Sequence, residues 1–208
     1  MLDNILNTES EANLISRQIE EDFKKLNEQE LEDFFDRFQK ENGNLNFIEY
    51  YNRTVLDKEK IDFGEFKSRW GIQGMTKEFY TFFDENYDKL RVEIINEKNM
   101  REFFEKYCNK ERKEYTFCTK LFHTVLPAEF PPIDNAIRKK FGLHNEGFIT
   151  SALIIKRGYE TFSERNQQLI VKVKNVLSKE KFAYFRVNEL SDIRILDMYY
   201  WFKENWDK

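Results

Sequence analysis

A chain of 208 residues with 21 Phe, 10 Tyr and 3 Trp but only 7 Gly and 3 Pro can bury a sizeable core, and has too little turn chemistry for a many-stranded sandwich or barrel. The composition therefore predicts an all-α fold, one compact helical domain or one domain with a helical appendage. The net charge of −4 counts against a nucleic-acid partner for the chain as a whole, yet residues 1–50 carry 5 Lys and Arg against 13 Asp and Glu, while residues 110–188 carry 15 against 8.

This asymmetry divides the chain into an acidic N-terminal helical part, residues 1–60, and a basic part, residues 61–208, of which only the second suits a polyanion. The alternative is that charges of both signs simply solvate outer helix faces. The start, MLDNILNTESEANL, has acidic and polar residues where a signal peptide needs a basic end and an apolar run, and no uncharged apolar stretch reaches the ~20 residues of a membrane span. A cytoplasmic chain with no membrane partner is the expectation.

Ser10 or Glu11 is the predicted opening of a helix through ANLISRQIEEDFKKL. A second helix follows in EQELEDFFDRFQKE, where Leu31, Phe34, Phe35 and Phe38 share a face and Gly43 provides a stop. NFIEYYNRTVLDKEK also reads as helical. IDFGEFKSRWGIQGM, with three of the seven glycines, reads as a linker or loop. Thr76 begins a long helical tract with no glycine or proline between Gly74 and Pro127, so its breaks must come from polar caps such as Asn96 or Asn99.

Cys108 and Cys118 lie in this tract without Cys or His partners at metal-ligand spacing, and neither a metal nor another cofactor is expected. All three prolines, Pro127, Pro131 and Pro132, then fall together, just before Asp134. Proline lacks the backbone donor of a helix interior and displaces the preceding residue from helical geometry, so the stretch predicts helix, rigid turn, helix. Asp134 stands at the N-cap position of NAIRKKFGL, a role that needs no catalytic duty.

The segment IDNAIRKKFGL resembles the stretch after the hairpin in the helix-hairpin-helix DNA glycosylases, the superfamily of endonuclease III and the 8-oxoguanine glycosylases. The pattern there is roughly V-D-T-H-V-x-R-V-x-x-R-L-G-L. Ile133, Asp134 and Ile137 match it, Asn135 replaces the threonine, and Gly142 and Leu143 match across a gap. Upstream, Thr119 and Lys120 resemble the helix that carries the nucleophilic lysine of bifunctional members, although EYTFC stands where the family has hairpin glycines. The resemblance covers about 30 residues, 114–143.

It implies a glycosylase-like fold, a duplex DNA partner carrying a damaged or modified base, and catalytic roles for Asp134 and Lys120. An amine at C1′ can displace a flipped base, and a fixed carboxylate can balance the cation on the sugar. Tyr115, Phe122, His123 and Asn135 are the candidate substrate contacts, and Arg138, Lys139, Lys140, Lys172 and Lys174 the candidate DNA-backbone contacts. Each has a plain alternative: Lys120 as a solvated helix residue, His123 as a satisfied core histidine. Two other functions stay open, a non-catalytic nucleic-acid-binding module and a helical protein-interaction factor working through the acidic N-terminal half.

The ending, SDIRILDMYYWFKENW, opens with Ser191 as an N-cap. Ile193, Leu196 and Tyr200, flanked by Ile195, Tyr199, Phe202 and Trp206, make it apolar on most sides. So apolar a helix must be largely buried, leaving Arg194 and Asp197 to pair with each other or with another internal group.

Overall fold

Aromatic residues at helical spacing should bury as stripes. In the computed structural model, which describes residues 2–41, 44–109 and 113–205, they do so in an all-α structure with no β-strand among the described residues. Helix α1 (Leu2–Lys24) starts well before Ser10. Nothing in LDNILNTESE breaks a helix, so Ser10 is an interior residue rather than a cap. Helix α2 (Glu28–Lys40) begins in a reciprocal capping box between Asn27 and Glu30 and buries Leu31, Phe34, Phe35 and Phe38, the predicted stripe. Gly43 lies outside the described residues.

Helix α3 (Asn44–Tyr51) runs into a π-helical turn, Asn52–Leu56. The segment expected to be a loop instead contains helix α4 (Phe63–Arg69), capped by Asp62, which accepts a hydrogen bond from Glu65 N at 2.6 Å. Its glycines misdirect a local reading. A glycine costs only ~1 kcal/mol inside a helix, and burial of Phe63 and Phe66 on one face outweighs it. Gly71 and Gly74, both at positive φ, shape the chain after the helix.

Thr76 caps α5 (Lys77–Glu97) and Asn99 caps α6 (Met100–Phe103), as predicted; Asn96 is interior to α5. Helices α7 (Tyr115–Val125) and α8 (Asn135–Lys140) flank the proline turn, and α9 (Phe148–Arg165) and α10 (Gln167–Leu177) follow. Two 3-10 turns lead to α11 (Asp192–Asn205), whose N-cap is Ser191. Helix α11 is buried on most sides and packs on α8, α9 and α10. Trp206 lies outside the described residues.

Helix α1 packs along α9, where Gly158 permits close approach: a Cβ there would lie 2.6 Å from Ile15 Cγ2. Residues on both sides of position 60 share one hydrophobic core, so the boundary drawn there marks charge rather than packing. The acidic helices also answer the basic ones directly. Arg157 pairs with Glu9 at 3.4 Å, Lys140 with Asp22 at 3.0 Å, and Lys181 with Glu32 at 2.7 Å and Asp36 at 3.0 Å. No described helix is long and apolar enough to cross a membrane.

Candidate active site

The three prolines leave a turn that side chains from two helices pin in place. Thr119 Oγ1 donates to Ile133 O at 2.9 Å, and Ser191 Oγ to Pro127 O at 2.6 Å. His123 Nδ1 lies 2.7 Å from Phe130 O, and because a carbonyl only accepts, this nitrogen carries the proton. Nε2 then accepts from the Tyr51 hydroxyl at 3.0 Å. Asp134 emerges from this turn as the cap of α8, Oδ1 accepting from Ile137 N at 3.0 Å. Its other carboxylate oxygen takes no hydrogen bond among the described residues.

Lys120, one turn before His123 on α7, is only 6% exposed. Nζ donates to Trp70 O at 2.5 Å and sits 5.7 Å from the centre of the Trp70 ring. Burial pushes its pKa down, against the pull of the Asp134 and Asp197 carboxylates. Lys120 and Asp134 line the same open cavity of about 1040 Å³, with Trp70, Tyr115, Asn135 and Trp201 among its walls. A second cavity of about 330 Å³ adjoins it, sharing Trp70, Gly71, Lys120 and Trp201. Lys120 thus stands where the two meet.

The other sequence candidates divide. Asn135 is exposed at the larger cavity, Oδ1 accepting from Arg138 Nη1 at 2.9 Å. Tyr115 also lines it but has no free face: Phe104 stacks on one side at 4.5 Å and Phe148 at 5.1 Å, both nearly parallel. It can offer a substrate its edge and hydroxyl, not a stacking surface. Phe122 and His123 are wholly buried and line neither cavity. Phe122 packs on Phe103 and Phe130, and His123 holds the turn, so their expected substrate contacts give way to core packing.

Most of the expected DNA-backbone cations are occupied internally. Arg138 is buried, with Nη2 on Leu143 O at 3.3 Å and Glu146 O at 2.5 Å and its guanidinium over Phe148. Its α8 position leaves Nη2 facing backbone carbonyls and Nη1 facing the Asn135 side chain. Lys140 is held by Asp22, Lys172 donates to Leu26 O, and Lys174 pairs with Asp192 at 2.7 Å. Lys139 alone of the five is exposed with no hydrogen bond or ion pair among the described residues.

Arg194 and Asp197 pair with each other, the first of the two arrangements expected for α11, Nη1 to Oδ2 at 2.5 Å, with both side chains buried. The sequence does not place them beside Lys120; they line the smaller cavity with it. Burial pushes the Asp197 carboxyl up to about 7, with Asp134 adding and Arg194 and Lys120 opposing. Trp70 and Trp201 were also missed. They are far apart in sequence, and no local pattern marks two distant indoles as walls of one site.

His123 and Asp197 act oppositely on stability as pH changes. Burial, with Arg194 adding, pushes His123 down to about 3, below the ~6.5 of an unfolded chain. Its contribution is therefore present above ~6.5 and lost as pH falls toward 3. Asp197 keeps its proton in the fold between ~4 and 7, so its contribution falls as pH rises through that window. His123→Gln removes the first effect alone. The difference in Tm between pH 5 and pH 7.5 should shift in favour of pH 5 by on the order of 5 °C relative to the wild type, corresponding to ~2 kcal/mol. An unchanged difference in thermal melts would contradict the neutral, buried histidine.

No family model, curated protein or solved structure matches the chain.

Proposed function

We propose that the chain is a DNA glycosylase that flips a damaged or modified base out of duplex DNA and cleaves its glycosidic bond. The observation that carries this is the shared cavity of Lys120 and Asp134: a buried, desolvated amine and a carboxylate fixed by a proline turn, open to one space. Flipping is required because the bond cannot be reached within a stacked duplex. Asp134 would stabilise positive charge on the sugar, and Lys120, once neutral, would attack C1′ to form a Schiff-base intermediate. The resemblance of IDNAIRKKFGL to the helix-hairpin-helix glycosylases points to the same pair.

Part of the acidic surface invoked for a protein-interaction factor is already used: Glu9, Asp22, Glu32 and Asp36 bind cations of the same chain. DNA would approach across the cavity mouth, where Lys113 is exposed, and past Lys139 on α8. Release of free base from a duplex separates an enzyme from a binding module. Fluorescence anisotropy tests the approach: Lys139→Ala should weaken binding to all duplex sequences and reduce the salt-dependence slope by about 1. Lys172→Ala and Lys174→Ala should leave both unchanged, because those amines are engaged elsewhere. The opposite pattern would move the DNA to the α10 face.

A further inference from the structure

The smaller cavity has a wall that packing alone does not explain. Asp197 Oδ1, Arg194 Nε and Trp70 Nε1 are all buried without a hydrogen-bond partner among the described residues, on residues that line this one space. An unpartnered buried donor or acceptor destabilises a fold, and native cores hold few of them. Three belong to side chains that line one cavity and are no more than 7% exposed, and they give this wall a polar character. The wall is also preorganised. Arg194 is fixed by its bond to Asp197 Oδ2 and by the Tyr51 ring, 4.4 Å from its guanidinium carbon.

The rest of the cavity suits a flat ring. Phe47 and Trp201 present rings within 26° of parallel, with centroids 6.4 Å apart, and Trp70 meets Phe47 edge-on at 4.9 Å. Aromatic faces favour planar π systems without regard to sequence. At about 330 Å³ the space lies at the lower end of the ~300–1,000 Å³ typical of small-molecule sites. That fits a single heterocycle rather than a peptide or a strand.

We propose that this cavity binds a planar nitrogen heterocycle by a lactam edge, a ring carbonyl beside a ring N–H. Trp70 and Arg194 donate to the carbonyl, and Asp197 in its ionised form accepts from the N–H. Two donors against one acceptor favour a carbonyl oxygen, which has two lone pairs, over a ring nitrogen, which has one. The positive charge of Arg194 also selects the more negative carbonyl and repels an amidine, which gains charge when it pairs with a carboxylate. The proposal rests on the glycosylase assignment for its natural occupant, a flipped base whose sugar would then lie beside Lys120. Its binding chemistry does not depend on any reaction.

The test uses hypoxanthine and adenine, purines that differ in presenting a lactam or an amidine at the same edge. Binding is followed by the indole N–H resonances of Trp70 and Trp201 in the full chain. Hypoxanthine should shift both, and adenine should bind at least ~10-fold more weakly, since a site built for one hydrogen-bonding edge rejects the other strongly. Ser68 is exposed at the cavity, and Ser68→Trp should abolish the shifts while leaving the melting temperature unchanged. No shift with hypoxanthine, equal binding of adenine, or binding undisturbed by Ser68→Trp would each overturn the proposal. Hypoxanthine binding without base release from any DNA would refute the glycosylase and leave the pocket standing. Base release that Ser68→Trp does not impair would do the reverse.

Discussion

Asp134→Asn should fold, bind DNA and release base at least ~100-fold more slowly than the wild type. Asparagine caps a helix about as well as aspartate, so the bond from Ile137 N to the Asp134 side chain survives the change. What disappears is the negative charge, and a fixed electrostatic group facing a transition state is worth on the order of 100-fold or more. The direction of the effect is diagnostic. Asp134 helps hold the proton on Lys120, so removing its charge favours the neutral, nucleophilic amine. If Asp134 acted only through Lys120, the variant would be faster. Single-turnover rates on a substrate duplex, with melting curves as the control, distinguish the two.

Lys120→Gln should abolish the covalent adduct that borohydride traps between protein and DNA. In the proposed reaction the Nζ lone pair forms a bond to C1′ as the glycosidic bond breaks, and the base leaves with the bonding electrons and takes up a proton. Opening of the sugar gives an iminium, which hydride from borohydride reduces to a stable amine. Glutamine cannot form that bond. The substitution also disturbs the hydrogen bond to Trp70 O, so a loss of ~1–3 kcal/mol in stability is expected, and circular dichroism must confirm a native fold. An adduct of wild-type yield would rule Lys120 out as the nucleophile. Base release with no adduct in the wild type would assign the attack to water and leave Lys120 a binding role.

What the sequence disclosed was local. The phenylalanine stripe of α2, the caps Thr76, Asn99, Asp134 and Ser191, and the apolar α11 with its Arg194–Asp197 pair all follow from spacings of three or four residues. Helix α4 was obscured because glycine content weighs heavily in a local reading and buried phenylalanine contact does not. The site was half legible. Lys120 and Asp134 flank the proline turn within one short segment, whereas Trp70 comes from the far end of α4 and Trp201 from α11, brought together only by packing. The lysines of the basic half looked free for the same reason: their partners Asp22 and Leu26 lie more than a hundred residues away.

The most direct measurement is incubation of the wild-type protein with duplexes that each carry one damaged or modified base, with free base detected by mass spectrometry beside an Asp134→Asn control. Release of base from at least one duplex, reduced ~100-fold in the control, is the predicted result. No free base from any duplex that the protein binds, or equal release by the two proteins, would contradict a glycosylase built on Lys120 and Asp134.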